Sequence, residues 1–159
     1  MKKILDNLEK FILVILALLF ATMTIALFYQ IIMRFVFQSA NVWSEELTRF
    51  AFIWMSMLGV AVATRRSKNM DVDFIVNLMP KIMKLINSIF TKALIIGFLF
   101  VLIFYGIELV TITFKQLSPG MRLPMAYMYL SVPVGGILML IFTIENIIND
   151  IKNRKIKES

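Results

Sequence analysis

The residues best equipped for chemistry lie in a polar island, Ser39 to Phe50, where Trp43, Ser44, Glu45, Glu46, Leu47, Thr48 and Arg49 follow one another. Adjacent carboxylates suggest general acid and base work. On a helix, however, side chains at Glu45 and Glu46 point about 100° apart and cannot close on one reacting atom. The chain has no histidine and no cysteine, so the commonest general base, the thiolate nucleophile and the usual soft metal ligands are all missing. No glycine-rich phosphate loop, zinc-ligand cluster or nucleophile elbow is present. The sequence therefore predicts no catalytic residue, no cofactor site and no metal site.

Two readings of the island remain. In the first it starts a helix, with Ser44 or Asn41 as N-cap, acids in the first turn and a Glu45–Arg49 pair at i,i+4. In the second, Trp43, Ser44, Glu45, Glu46 and Arg49 grip another membrane protein, because ionised groups beside hydrocarbon must reach water or a partner.

The elements that position these residues are apolar. The 159 residues are 60% hydrophobic, with mean hydropathy +0.83, which suits a polytopic membrane protein and not one soluble domain. Phe11 to Met33 is a charge-free run of 23 residues, enough to cross about 30 Å of hydrocarbon and too long for a cleaved signal peptide. Phe50 to Thr64 holds only 15 charge-free residues, so a second span must begin inside the island. Its Ser56, Gly59 and Ala63 form a small-residue stripe that admits a neighbouring helix, in this chain or on a partner. Lys92 and Glu108 bracket a third apolar stretch, their charges reaching toward opposite interfaces. Leu123 to Ile144 gives a fourth run of 22 residues, with Pro133 as a possible kink beside Ser131, Gly135 and Gly136.

The expected fold is an all-α membrane protein, one integral-membrane domain over 1–159. Its four transmembrane helices fall at about 11–34, 42–64, 85–114 and 123–147. A short interfacial amphipathic helix at about 71–79 presents Phe74, Ile75, Leu78 and Met79 on one face. Arg65, Arg66, Lys68, Tyr127 and Tyr129 are expected as interfacial anchors, and the tail from Glu145 onward as solvated. Segments that four spans place on one side carry 13 of the 17 basic residues. Under the positive-inside rule both termini are then cytoplasmic, while the island and the Pro119-Gly120 turn face outward. The net charge of +7 flanks apolar runs instead of lining one face, so membrane topology accounts for it and nucleic acid is not an expected partner.

From Leu8 to about Ile147 the chain resembles the small integral-membrane subunit of tripartite ATP-independent periplasmic (TRAP) transporters, the DctQ-like family. The resemblance is carried by Arg34-Phe35, by Trp43-Ser44-Glu45-Glu46-Leu47 with Arg49, and by Gly59 and Ala61. It continues through Met70-Asp71-Val72, Pro80, Leu123-Pro124 with Tyr127, and Pro133-Val134-Gly135. Met70 departs from the pattern, since many relatives have histidine there. The resemblance implies a multi-pass protein of the bacterial inner membrane. It would work with a large membrane subunit and a periplasmic substrate-binding protein to import organic anions such as sialic acid or C4-dicarboxylates on a sodium gradient. It implies no enzyme activity, a partner surface over Trp43, Ser44, Glu45, Glu46, Arg49, Ser56, Gly59 and Ala63, and a periplasmic contact at Pro119, Gly120 and Arg122. From a different class, a small homo-oligomeric channel or pore remains the alternative, although Phe11 to Met33 offers only Thr22, Thr24, Tyr29 and Gln30 as a polar stripe.

Overall fold

The computed structural model describes residues 2–39, 41–66 and 81–157. Four long helices are apolar and long enough to span a membrane. They are α1 (Lys2–Phe35), α2 (Val42–Arg66), α3 (Lys81–Thr113) and α5 (Ser131–Lys157), the last preceded by a single turn, α4 (Ala126–Tyr129). The described residues contain no strand, only one isolated bridge between Leu117 and Pro124. The expected interfacial helix at 71–79, with Lys68, Met70, Asp71 and Pro80, lies outside the described residues.

Helix bounds follow local chemistry more than hydropathy. α1 begins nine residues before its charge-free run, because Asp6 and Glu9 find a cation on another helix. Proline has no amide to give, and its ring clashes with the carbonyl four residues earlier. Pro133 therefore stops α4 at Tyr129, and α5 restarts at Ser131 with Pro133 inside its first turn, where no amide is needed. The interruption is the single residue Leu130, which stays in the right-handed helical region, with its N–H on the Ala126 carbonyl at 2.8 Å and its carbonyl accepting Val134 N–H at 3.2 Å. Ser131 helps to bridge it by donating its hydroxyl to the Met128 carbonyl at 2.8 Å.

The helices pack as an open row in the order α1, α2, α5, α3, and α1 and α3 share no extended contact. Two glycines of α5 make this spacing possible. A Cβ on Gly135 would lie 2.9 Å from the Met57 Cβ of α2, and one on Gly136 would lie 2.8 Å from Ile103 and Leu102 of α3. Both neighbours approach the bare backbone of the same helix. The continuous core joins Ile12 of α1, Leu58, Ala61 and Val62 of α2, Leu99 of α3, and Met139 and Phe142 of α5. Burial falls off toward the edges of the row. In the apolar windows of α1 and α3 only 11% of residues are buried, against 44% in the window at Ala126–Asp150. Phe11, Leu18, Ile25 and Phe28 on α1, and Phe98, Val101, Phe104 and Tyr105 on α3, stand exposed on those edges.

The small-residue stripe of α2 is not the one used for packing within the chain. Ser56 is half-buried, nothing lies within 4 Å of a Cβ placed on Gly59, and Ala63 is exposed.

Candidate functional site

The polar side chains gather at the two ends of the row. At one end, the island opens α2 and separates its two acids, as the helical turn dictates. Glu45 faces outward and its carboxylate accepts a hydrogen bond from Arg49 at 2.9 Å, with both side chains more than half exposed. Glu46 turns inward and is 6% exposed. Its two oxygens accept the backbone amides of Gly120 at 2.7 Å and Met121 at 2.8 Å, so one carboxylate fastens the start of α2 to the turn between α3 and α4. Gly120 must be bare for this, since a Cβ there would stand 3.0 Å from the Trp43 nitrogen and 3.1 Å from the Glu46 carboxylate. The turn is pinned from within by Ser118 N–H to the Leu123 carbonyl at 2.9 Å and Met125 N–H to the Gln116 carbonyl at 2.8 Å. Arg122 takes a left-handed conformation, φ 53°, at its exposed tip.

Ser44 is completely buried and donates its hydroxyl to the Asn41 carbonyl at 3.0 Å. Asn41 donates its side-chain amide to the Tyr29 hydroxyl at 3.3 Å. Trp43 packs against Tyr29 with ring centroids 5.4 Å apart and remains 42% exposed. Further along α2, Trp54 donates its indole N–H to the Tyr127 carbonyl at 3.0 Å, while the Tyr127 ring is exposed.

At the other end Arg65 is a hub. Its guanidinium meets Glu145 of α5 through two hydrogen bonds, at 2.8 and 3.1 Å, and Asp6 of α1 at 2.6 Å, and also bonds Glu9. It lies 5.5 Å from the centroid of the buried Phe142 ring. Arg66 adds a 2.7 Å bond to Glu9. Asn146 donates to the Thr64 carbonyl at 2.9 Å, and Lys92 of α3 pairs with Asp150 at 2.8 Å. Side-chain exposure is 10% for Arg65 and 11% for Glu145, so this is a desolvated junction of three helices.

These placements correct three expectations. Arg65 is a tertiary contact and not a headgroup anchor, whereas Arg66 is exposed and paired at once. Glu145, the first residue of the tail expected to be solvated, instead faces Arg65 at the start of roughly the last three turns of α5. Lys92 does not reach alone for the interface, since Asp150 holds it. Sequence reasoning singled out Glu46 and Arg65 and missed Met121 as a partner of the first and Asp6, Glu9 and Glu145 as partners of the second. An acid and a base at matching ends of different spans is the signal that could have found the second junction. Among the described residues no group of three acidic, histidine or cysteine side chains could hold a metal ion. What the arrangement does chemically is join helices.

A model of the DctQ component of tripartite ATP-independent periplasmic transporters matches residues 23–153. The chain belongs to this DctQ family. With four apolar helices, this DctQ chain is a multi-pass protein of the inner membrane. It is 31% identical over 156 residues to the sialic acid TRAP transporter small permease protein SiaQ of Vibrio cholerae serotype O1, covering 96% of this chain and 86% of that protein. It is 32% identical over 111 residues, 70% of its length, to the sialic acid TRAP transporter permease protein SiaT of Haemophilus influenzae. It is 30% identical over 116 residues, 72% of its length, to the isethionate TRAP transporter permease protein DctMQ of Oleidesulfovibrio alaskensis. The chain spans only 18% of each of these last two relatives.

Proposed function

We propose that this DctQ chain is the non-catalytic small permease subunit of a sodium-coupled TRAP transporter that imports an organic anion of the sialic acid or C4-dicarboxylate class, and that it acts by holding the large membrane subunit in place. The observation that carries this reading is the pair of longer relatives. A fold like this one occupies less than a fifth of two permeases, which suits a part that works attached to a much larger membrane body. Sialic acid stands first among the anions because SiaQ matches nearly end to end.

The packing supports a frame. The buried Glu46 and Arg65 at the two ends of the row are spent on joining elements of this chain, and an open row leaves long apolar edges for a neighbour and for lipid. Both termini lie at the Arg65 end, which the distribution of basic residues assigns to the cytoplasm. The Glu46 end then faces the periplasm. There the exposed Trp43 and the Glu45–Arg49 pair, with Ser56, Gly59 and Ala63 of α2 below them, would meet the large subunit. Ser44 and Glu46 contribute by fixing that surface from inside. Pro119, Gly120 and Arg122 sit on the turn that a periplasmic substrate-binding protein would touch.

Vesicles test this directly. With the large subunit, the binding protein and an inward sodium gradient, labelled sialic acid should accumulate, and omission of this chain should abolish accumulation. Solute flux through vesicles holding this chain alone would overturn the reading in favour of a homo-oligomeric pore.

A further inference from the structure

Seven carboxylates belong to residues whose side chains are described, and six of them have a partner within the chain. Asp6, Glu9 and Glu145 meet Arg65, Glu45 meets Arg49, Glu46 meets two backbone amides, and Asp150 meets Lys92. Glu108 is the seventh. Its backbone carbonyl accepts the Thr111 hydroxyl, but its carboxylate has no hydrogen bond or ion pair among the described residues.

Its position makes this costly. α3 packs on α5 through Leu99, Leu102, Ile103 and Gly106, and Glu108 lies on the opposite side, exposed. One turn before it stand Phe104 and Tyr105 and one turn after it Ile112, all more than 60% exposed. Five residues separate Glu108 from the end of α3, a rise of about 7–8 Å, and 16 separate it from Lys92, about 24 Å. The roughly 24 Å from Lys92 is shorter than a hydrocarbon core of about 30 Å, so a crossing that begins at the Lys92–Asp150 pair would keep the Glu108 backbone within the apolar span. An ionised group on a lipid-side helix face is unfavourable unless something pairs with it.

We propose that Glu108 marks the place where a helix of the large permease subunit lies along α3 and presents a lysine or arginine at the same depth. The inference rests on the small-subunit reading given above and adds the contact that reading leaves unspecified. The occupant follows from charge and from the shape of the row. A cation is the complement of an unpaired carboxylate, and planar guanidinium can bind it at two points. A second copy could offer Arg34, which is exposed near the end of α1. That pairing would set the α1 edge of one copy on the α3 edge of the next, a head-to-tail contact that builds a ring or a filament of this chain alone. The longer relatives instead join such a region to one large permease.

The test uses the full chain co-expressed with its large subunit and purified from the membrane through a tag on this chain. With Glu108→benzoylphenylalanine, illumination should attach this chain to the large subunit, at a segment carrying a lysine or arginine. Glu108→Lys should lower recovery of the large subunit roughly tenfold or more, with Glu108→Gln intermediate, because a like charge replaces a desolvated pair. Thermal melting of each variant alone should match the parent chain, since Glu108 holds nothing within it. An adduct only with a second copy or only with lipid, or unchanged recovery with Glu108→Lys, would overturn the inference while leaving the small-subunit reading intact. Failure of the parent chain to bring down the large subunit would overturn both.

Discussion

The two polar ends of the row solve the same problem in different ways. At the Glu46 end a buried charge is satisfied by two backbone amides of a turn. At the Arg65 end it is satisfied by carboxylates on two other helices. Amides in a pinned turn are fixed donors that need only the backbone to hold its shape. Opposed side chains must be brought together by three separate helices, and each loses its partner if one helix shifts. The first arrangement fixes a surface, the second fixes the order of helices, and removing one group should expose that difference.

Arg65→Ala is the most damaging change. It leaves Glu145 unpaired in a desolvated junction and Glu9 with Arg66 alone, and losing one side of a buried pair costs about 3–5 kcal/mol. Detergent-solubilised protein should show a large fall in melting temperature and in folded yield. Arg65→Lys should recover only part of it, since an ammonium cannot reproduce the fork that spans Glu145 and Asp6. A mild loss on Arg65→Ala would mean that the junction does not order the helices.

Glu46→Gln should act less on global stability and more locally. The amide keeps one acceptor for Gly120 or Met121 and offers a donor where an acceptor is needed. Protease added from the Glu46 side should then cut the 114–125 turn faster, with a smaller drop in melting temperature than Arg65→Ala. Equal effects on both readouts would erase the distinction between the two ends.

The smallest effect belongs to Glu45→Gln. An exposed i,i+4 pair contributes about half a kcal/mol or less, so melting should barely move. Recovery of the large subunit should nevertheless fall if this outward face is used. Glu45 and Glu46 are neighbours in sequence, and their variants should separate cleanly into a binding defect and a folding defect.

How much of this could be read from the residues depends on how local the cause is. Charge-free runs locate four spans because crossing hydrocarbon constrains each segment by itself. The Glu45–Arg49 pair was legible for the same reason, four residues being one helical turn. Glu46 was visible as an acid in an awkward place, but its acceptors' donors are backbone amides 74 and 75 residues away, and an amide leaves no mark on residue type. Glu145 was expected to be solvated because it opens a charged terminal stretch, and Asp6 and Glu9 sit in another, where a pair and a free charge look alike. The order α1, α2, α5, α3 was not legible, since hydropathy measures depth and says nothing about who stands beside whom. Gly135 and Gly136 hinted at a neighbour, and the structure shows two, one on each side.

That doubled contact has a mechanical consequence. A helix gripped backbone-close on both flanks cannot slide or rotate without disturbing both, so the middle of the row resists shear. Across its thickness the described residues form no second tier of helices to oppose flexing. The bow or flatness of this panel in the bilayer is therefore set by whatever leans against it.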